Sequence, residues 1–276
     1  ASDERRESSR SDRTDSFRVV DAFDRPDAYY HGDGWESLNP GYWKIEDGAL
    51  RRRLRTRGGE TRQQNWFPWH WETHTDHAMT LEYDPSQPFG MLMRRDWELE
   101  GSYSVRMQGR VLGLPPTESG EVERKDHTPG YGLIGLAFGS STLFESWTGR
   151  GDPGDAAWMA LWRDDGRFGI YDHATDAPRP AREGTERHAP GLTVGDRFTI
   201  ELRMEEDGSD QVRVEAELRA RGETVSQAIE KVDATSFTDG YFGLVGRGLL
   251  DVEVEEVALD PGENTELETP LNECHM

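Results

Sequence analysis

The stretch Asn65-Trp66-Phe67-Pro68-Trp69-His70-Trp71-Glu72-Thr73-His74-Thr75-Asp76-His77 gathers the densest chemistry of this 276-residue chain. Indole rings stack on the apolar faces of sugar rings, while their N–H groups seek polar partners. Trp66, Trp69 and Trp71 therefore form a candidate carbohydrate platform, with His70 as a polar contact. The competing reading is a loop that folds back and caps the fold with a satellite hydrophobic cluster. His70, His74 and His77 are spaced four and three apart, which on a helix brings the imidazoles to one side. Glu72 and Asp76 would then serve as oxygen donors or supporting partners of a transition metal. Pro68 and the threonines make a poor helix, and an irregular loop would scatter those rings.

Two further groups carry polar chemistry. Arg94-Arg95-Asp96-Trp97 follows the apolar run Phe89-Gly90-Met91-Leu92-Met93, which places the charges where a strand meets a loop. An arginine beside a tryptophan can grip a sugar carboxylate or sulfate through two parallel hydrogen bonds, and an ordinary Arg–Asp surface pair explains the same residues. Glu145-Ser146-Trp147 and Gly149-Arg150-Gly151-Asp152-Pro153-Gly154-Asp155 read as a long glycine-rich loop. Trp147 joins the aromatic candidates there. Asp152 and Asp155 offer oxygens to Ca²⁺, against the plainer reading of a solvated loop. No Ser-His-Asp grouping, phosphate loop or dinucleotide fingerprint occurs, so no catalytic residue is assigned.

The elements that must position these groups are strands. Phe17 to Phe23 reads as an entry strand, and Trp43-Lys44-Ile45-Glu46-Asp47-Gly48-Ala49-Leu50 as strand, Asp-Gly turn, strand. Asp164-Asp165-Gly166 reads as a hairpin turn requiring positive φ. Residues 199–204 and 211–218 alternate cleanly, one face on a core and one in water. In Val252-Glu253-Val254-Glu255-Glu256-Val257 the alternation slips by one, which predicts a β-bulge. Leu133 to Phe138 and Ala157 to Trp162 are apolar on both faces, as central strands are. Further strands are expected near 78–83, 89–94, 102–113, 167–172 and 224–230. Residues 240–248 and 250–254 read as two strands joined by a tight glycine turn, the second closing on the first strand of the body. The whole predicts an all-β fold, a two-sheet antiparallel sandwich of jelly-roll type.

An opening Phe23-Asp24, then Trp35, then Trp43-x-Ile45-x-Asp47-Gly48-x-Leu50, and a final Gly240-Tyr241-x-Gly243-Leu244 before a valine-rich strand resemble the concanavalin A-like lectin/glucanase superfamily, nearest its laminin-G-like and 3-keto-disaccharide hydrolase-like domains. The resemblance spans roughly residues 17 to 260 and implies a ligand on the concave sheet, with a glycoside-active hydrolase as the alternative to a binder. Related glucanases carry Glu-x-Asp-x-x-Glu on one strand. Here Glu253, Glu255 and Glu256 lack the aspartate, and Glu98 with Glu100 lacks the third member. The layout also resembles the leading region of planctomycete-type alkaline phosphatase D-like proteins, where a β-sandwich precedes a metallophosphoesterase domain. That resemblance transfers no catalytic residue.

Composition bounds the partners. Against 32 basic residues stand 54 acidic ones, a net charge of −22, the wrong sign for nucleic acid or an anionic lipid surface. Only Lys44, Lys125 and Lys231 are lysines, a bias that fits either a saline habitat or a GC-rich genome. No run approaches the ~20 apolar residues of a membrane helix. Residues 1–16 read as a disordered polar leader, 17–260 as the sandwich, and 261–276 as a linker or tail toward a C-terminal partner domain. The single cysteine, Cys274, excludes an internal disulfide. A start at Ala1 without an apolar signal core reads as a mature product, extracellular or periplasmic. The expected function is thus glycan binding, with a carbohydrate or polysaccharide as partner, no required cofactor, and Ca²⁺ as the ion the acidic loop would take.

Overall fold

The computed structural model describes residues 16–27, 34–37, 43–52, 90–99, 101–114, 132–140, 158–172, 179–180, 186–206, 212–231, 240–247 and 250–262. Every regular element among them is a strand, every pairing is antiparallel, and the strands form two sheets of eight. The first runs β14 (Glu223–Lys231), β13 (Val212–Ala220), β12 (Arg197–Glu206), β6 (Tyr103–Gly113), β16 (Asp251–Asp260), β4 (Ala49–Arg52), β3 (Trp43–Glu46), and β1 (Arg18–Asp21) also pairs with β16. The second runs β10 (Arg179–Pro180), β9 (Arg167–Asp172), β8 (Trp158–Arg163), β7 (Leu133–Ser140), β15 (Gly240–Arg247), β5 (Gly90–Leu99), β2 (Trp35–Ser37), and β11 (Arg187–His188) also pairs with β9. The expected jelly-roll sandwich is what the chain forms.

Alternation decides which side chains fill the space between the sheets. Val105, Met107 and Val111 of β6, Ile200, Leu202 and Met204 of β12, and Val214, Ala216 and Leu218 of β13 are buried in one cluster. Ile134, Leu136 and Phe138 of β7 and Trp158, Ala160 and Trp162 of β8 join them from the other sheet. Apolar area removed from water on this scale, at roughly 25 cal/mol per Å², is the main favourable term in folding. The intervening positions of the first sheet, among them Arg106, Arg110, Glu201, Arg203, Glu217 and Arg219, form its charged outer face.

The predicted bulge is present. Val254 pairs with Gly109 and Glu256 with Gln108, so Glu255 is the extra residue, and Val257 returns to the core side. The Asp-Gly hairpin is also present, with Asp47 at φ 54° and Gly48 at φ 71°, the two left-handed positions a tight two-residue turn requires. Gly166 at φ 78° closes the β8–β9 hairpin, its N–H donating to the Arg163 carbonyl at 3.0 Å.

Two sequence expectations are corrected. β15 and β16 are not a hairpin, because β15 lies between β5 and β7 in the second sheet while β16 lies against β6 in the first. Phe242 and Leu244 face the main core and Val245 the opposite side, so β15 needs cover on both faces and takes a central place. β5 extends through Leu99, so Arg94, Arg95 and Asp96 lie within a strand rather than at its junction with a loop. The strand expected at 78–83 lies outside the described residues, as do residues 1–15 and 263–276.

Candidate functional site

The centre of the second sheet is apolar on both faces. On the face turned away from the main core, Met93, Leu133, Ala137, Met159, Leu161, Tyr171 and Val245 form a separate buried cluster, with Tyr241 packed against it. Glycines at 135 and 243 let this layer lie close to the backbone: a Cβ on Gly135 would stand 1.9 Å from the Ala160 carbonyl oxygen, and one on Gly243 2.4 Å from that of Leu92. The residues at the centre of this outward face are buried.

Its corner at β8, β9 and β11 is different. Tyr171, itself fully buried, donates its hydroxyl to Glu186 Oε1 over 2.5 Å. Arg163, at the end of β8, binds the same Glu186 oxygen at 3.2 Å and Asp165 Oδ2 at 3.0 Å, with its guanidinium over the Tyr171 ring at 5.9 Å. Arg167, at the start of β9, reaches Glu186 Oε2 at 3.1 Å. The turn Asp164-Asp165-Gly166 sets this geometry, because it delivers Arg163, Asp165 and Arg167 to one side of a tight reversal. Glu186 enters from the residue just before β11, which runs alongside β9.

Burial first, then the hydrogen bond and charge of Glu186, push the Tyr171 pKa far above its ordinary value, and the nearby Arg163 opposes this only in part. Burial works to lower the Arg163 pKa, but Tyr171, Asp165 and Glu186 outweigh it and the net shift is upward. Tyr171 is thus a fixed hydrogen-bond donor and Arg163 a fixed cation. The Arg167 side chain is 55% exposed, whereas those of Arg163, Asp165 and Glu186 are 15–18% exposed. The corner offers an open guanidinium backed by half-buried carboxylates.

Of the sequence candidates, Trp66, Trp69, His70, Trp71, His74, His77, Trp147, Asp152 and Asp155 lie outside the described residues. Arg94 is buried, with its guanidinium 5.4 Å from the Trp35 ring centre. Arg95 and Asp96 follow it in β5. Among the described residues no group of three His, Cys, Asp or Glu is placed to hold a metal ion. Nothing in the sequence marks Tyr171 or Glu186 as site residues, and Asp165 reads there only as a turn residue. The one available signal was Arg163 and Arg167 flanking an acidic turn, a pattern too common on surfaces to single out.

No family model matches the chain, and no curated protein matches it. Among solved structures it is similar to lectin UEA-II complexed with galactose, at 10% identity and a TM-score of 0.47, covering 88% of this chain and 97% of that one. The marine PL-14 alginate lyase from Aplysia kurodai shows 10% identity and a TM-score of 0.47, over 88% and 98% of the two chains. The Emp46p carbohydrate recognition domain in its metal-free form shows 11% identity and a TM-score of 0.44, over 91% and 98%. These are likenesses of chain path and transfer no residue, ligand or reaction.

Proposed function

We propose that the chain is a glycan-binding jelly roll of the extracellular or periplasmic space, whose ligand meets the β8–β9–β11 corner of the second sheet. The observation that carries this reading is the contrast on that sheet's outward face. At its centre Met93, Met159 and Leu161 are buried, and its corner presents the exposed Arg167 beside Glu186 and Asp165. Vicinal sugar hydroxyls both donate and accept, and a planar guanidinium held next to carboxylates supplies both functions without rearrangement. The tryptophans at 66, 69 and 71 are the proposed stacking partners, with His70, Arg95, Asp96 and Trp147 as the further proposed contacts; Arg94, buried against Trp35, is not among them.

Affinity rests on a few stacked rings and hydrogen bonds, so it is modest, and the net charge of −22 favours neutral over polyanionic glycans. A glycan array spanning neutral, uronic-acid and sulfated polymers tests the reading. Binding to a neutral class that Arg167→Ala weakens supports it, and an array without binding removes it.

A further inference from the structure

The four ends of the two sheets are not alike. The first sheet ends at β3, four residues long, and the second ends at β2, three residues long, and at β10 and β11, two residues each with Pro180 in β10. Short strands and proline are the usual means by which proteins prevent an open edge from pairing with another chain. β14 has neither. It runs nine residues, Glu-Thr-Val-Ser-Gln-Ala-Ile-Glu-Lys, in unbroken register with β13 from Glu223 opposite Ala220 to Lys231 opposite Val212, and among the described residues it pairs with β13 alone.

The two-residue turn Arg221-Gly222, at φ 55° and 76°, makes Ala220 and Glu223 the closing hydrogen-bonded pair. By alternation the backbone N–H and C=O groups of Thr224, Ser226, Ala228 and Glu230 then point away from β13. Thr224, Ser226 and Ala228 are exposed. We infer that β14 is the docking strand for a second copy of this chain, joined antiparallel across a two-fold axis at Gln227.

That axis is chosen by the sequence of the strand. Centring on Gln227 sets Ser226 against Ala228 of the other copy and Thr224 against its Glu230, so the four outward-pointing residues pair among themselves. The same register sets Val225 against Ile229 and the glutamate at 223 against the lysine at 231, one of only three lysines in the chain. Opposite charges at the two ends of the joint and β-branched residues between them are favourable cross-strand pairs, and a two-fold interface needs this self-complementarity. Gln227 holds the strand in place from within, since its amide oxygen accepts from the Ile170 N–H at 2.7 Å across the sandwich.

Sedimentation equilibrium of the full chain across a range of concentration and salt tests this. Two copies each carrying −22 repel, so the dimer fraction rises as salt screens them. Ser226→Pro removes an outward N–H without touching the β13 ladder and leaves a folded monomer whose melting temperature no longer depends on concentration. Lys231→Glu also gives a monomer, and the paired exchange Glu223→Lys with Lys231→Glu restores the dimer, a recovery that needs no proline and that no different partner would produce. A chain that stays monomeric under all conditions, or a dimer that survives both Ser226→Pro and Lys231→Glu, overturns the inference.

Discussion

The Tyr171 hydroxyl and the Glu186 carboxylate lie 2.5 Å apart, the tyrosine donating from a fully buried ring. A phenol in that position resists ionisation in the folded state, through burial first and the neighbouring carboxylate second. The unfolded chain loses the same proton at about pH 10. With the folded pKa above the unfolded one, the contribution is complete below about pH 10 and is lost as the pH rises beyond it. Melting temperature followed from neutral to strongly alkaline pH is expected to drop in the wild type above that point. In Tyr171→Phe the alkaline drop is shallower, and the neutral-pH stability is lower because Glu186 loses a donor.

Gln227 and Gly169 form a second coupled pair. Gln227 is 2% exposed and supplies the acceptor for the Ile170 N–H, so Gln227→Leu leaves a buried backbone donor unpaired, at a cost of about 1–3 kcal/mol. A Cβ on Gly169 would sit 2.4 Å from the Gln227 amide oxygen and 3.5 Å from Cδ. Gly169→Ala is therefore destabilising alone, and part of that loss disappears in a Gln227→Ala background. Chemical denaturation of the two single variants and the double variant should show a coupling within roughly 0.5–3 kcal/mol. Strict additivity would mean that the two residues do not share this space.

Asp21 binds together the start of the chain. Its carboxylate accepts from the Phe23 N–H at 2.7 Å, the Trp35 indole N–H at 2.8 Å and both terminal nitrogens of Arg25 at 2.8 and 3.0 Å. Asp21→Ala removes the acceptor of four hydrogen bonds from three residues and leaves the two buried donors, the Phe23 N–H and the Trp35 indole, without it, so about 3 kcal/mol of loss is expected. Arg25→Ala removes only the partner that reaches solvent and should cost a fraction of that. Thermal unfolding of the two variants checks the order, which reverses if the salt bridge rather than the buried hub is what matters.

The limits of the sequence are visible at these residues. Alternation exposed β12, β13 and β16, the slip at Glu255 announced the bulge, and the Asp47-Gly48 and Asp165-Gly166 pairs announced their turns, because each of these signals is local. The partners of Asp21 lie two, four and fourteen residues away, and only the fold makes Trp35 one of them. Glu186 meets Tyr171 because a two-residue strand, β11, docks beside β9, and nothing in Arg187-His188 predicts that docking. The glycines after Tyr241 suggested a reversal, yet the chain changes sheets there. Local patterns show which face of a strand is wet, and they do not show which sheet receives it. The aromatic segment from Trp66 to Trp71 stands out by composition alone, while the described corner rests on residues of ordinary type brought together by the fold.

That contrast allows the two halves of the proposed glycan site to be tested separately. Arg167 sits on the rim, so Arg167→Ala should leave the unfolding free energy within about 0.5 kcal/mol of wild type, as exposed ion pairs contribute little. It removes donors that a sugar hydroxyl would use, and a roughly tenfold loss of affinity for a neutral oligosaccharide, about 1.4 kcal/mol, is the expected size for a charged hydrogen bond. Trp69→Ala removes a stacking surface and should cost at least as much if the aromatic segment shares the ligand. Titration calorimetry on both variants and their combination distinguishes the cases. Losses from both substitutions place the sugar across the corner and the aromatic segment together. A loss from Trp69→Ala alone moves the ligand off the Arg167 corner, and a loss from neither removes the proposed site. Binding to neutral sugars should also hold steady as salt is raised. A steep fall would mark an ionic ligand that the −22 chain was not expected to prefer.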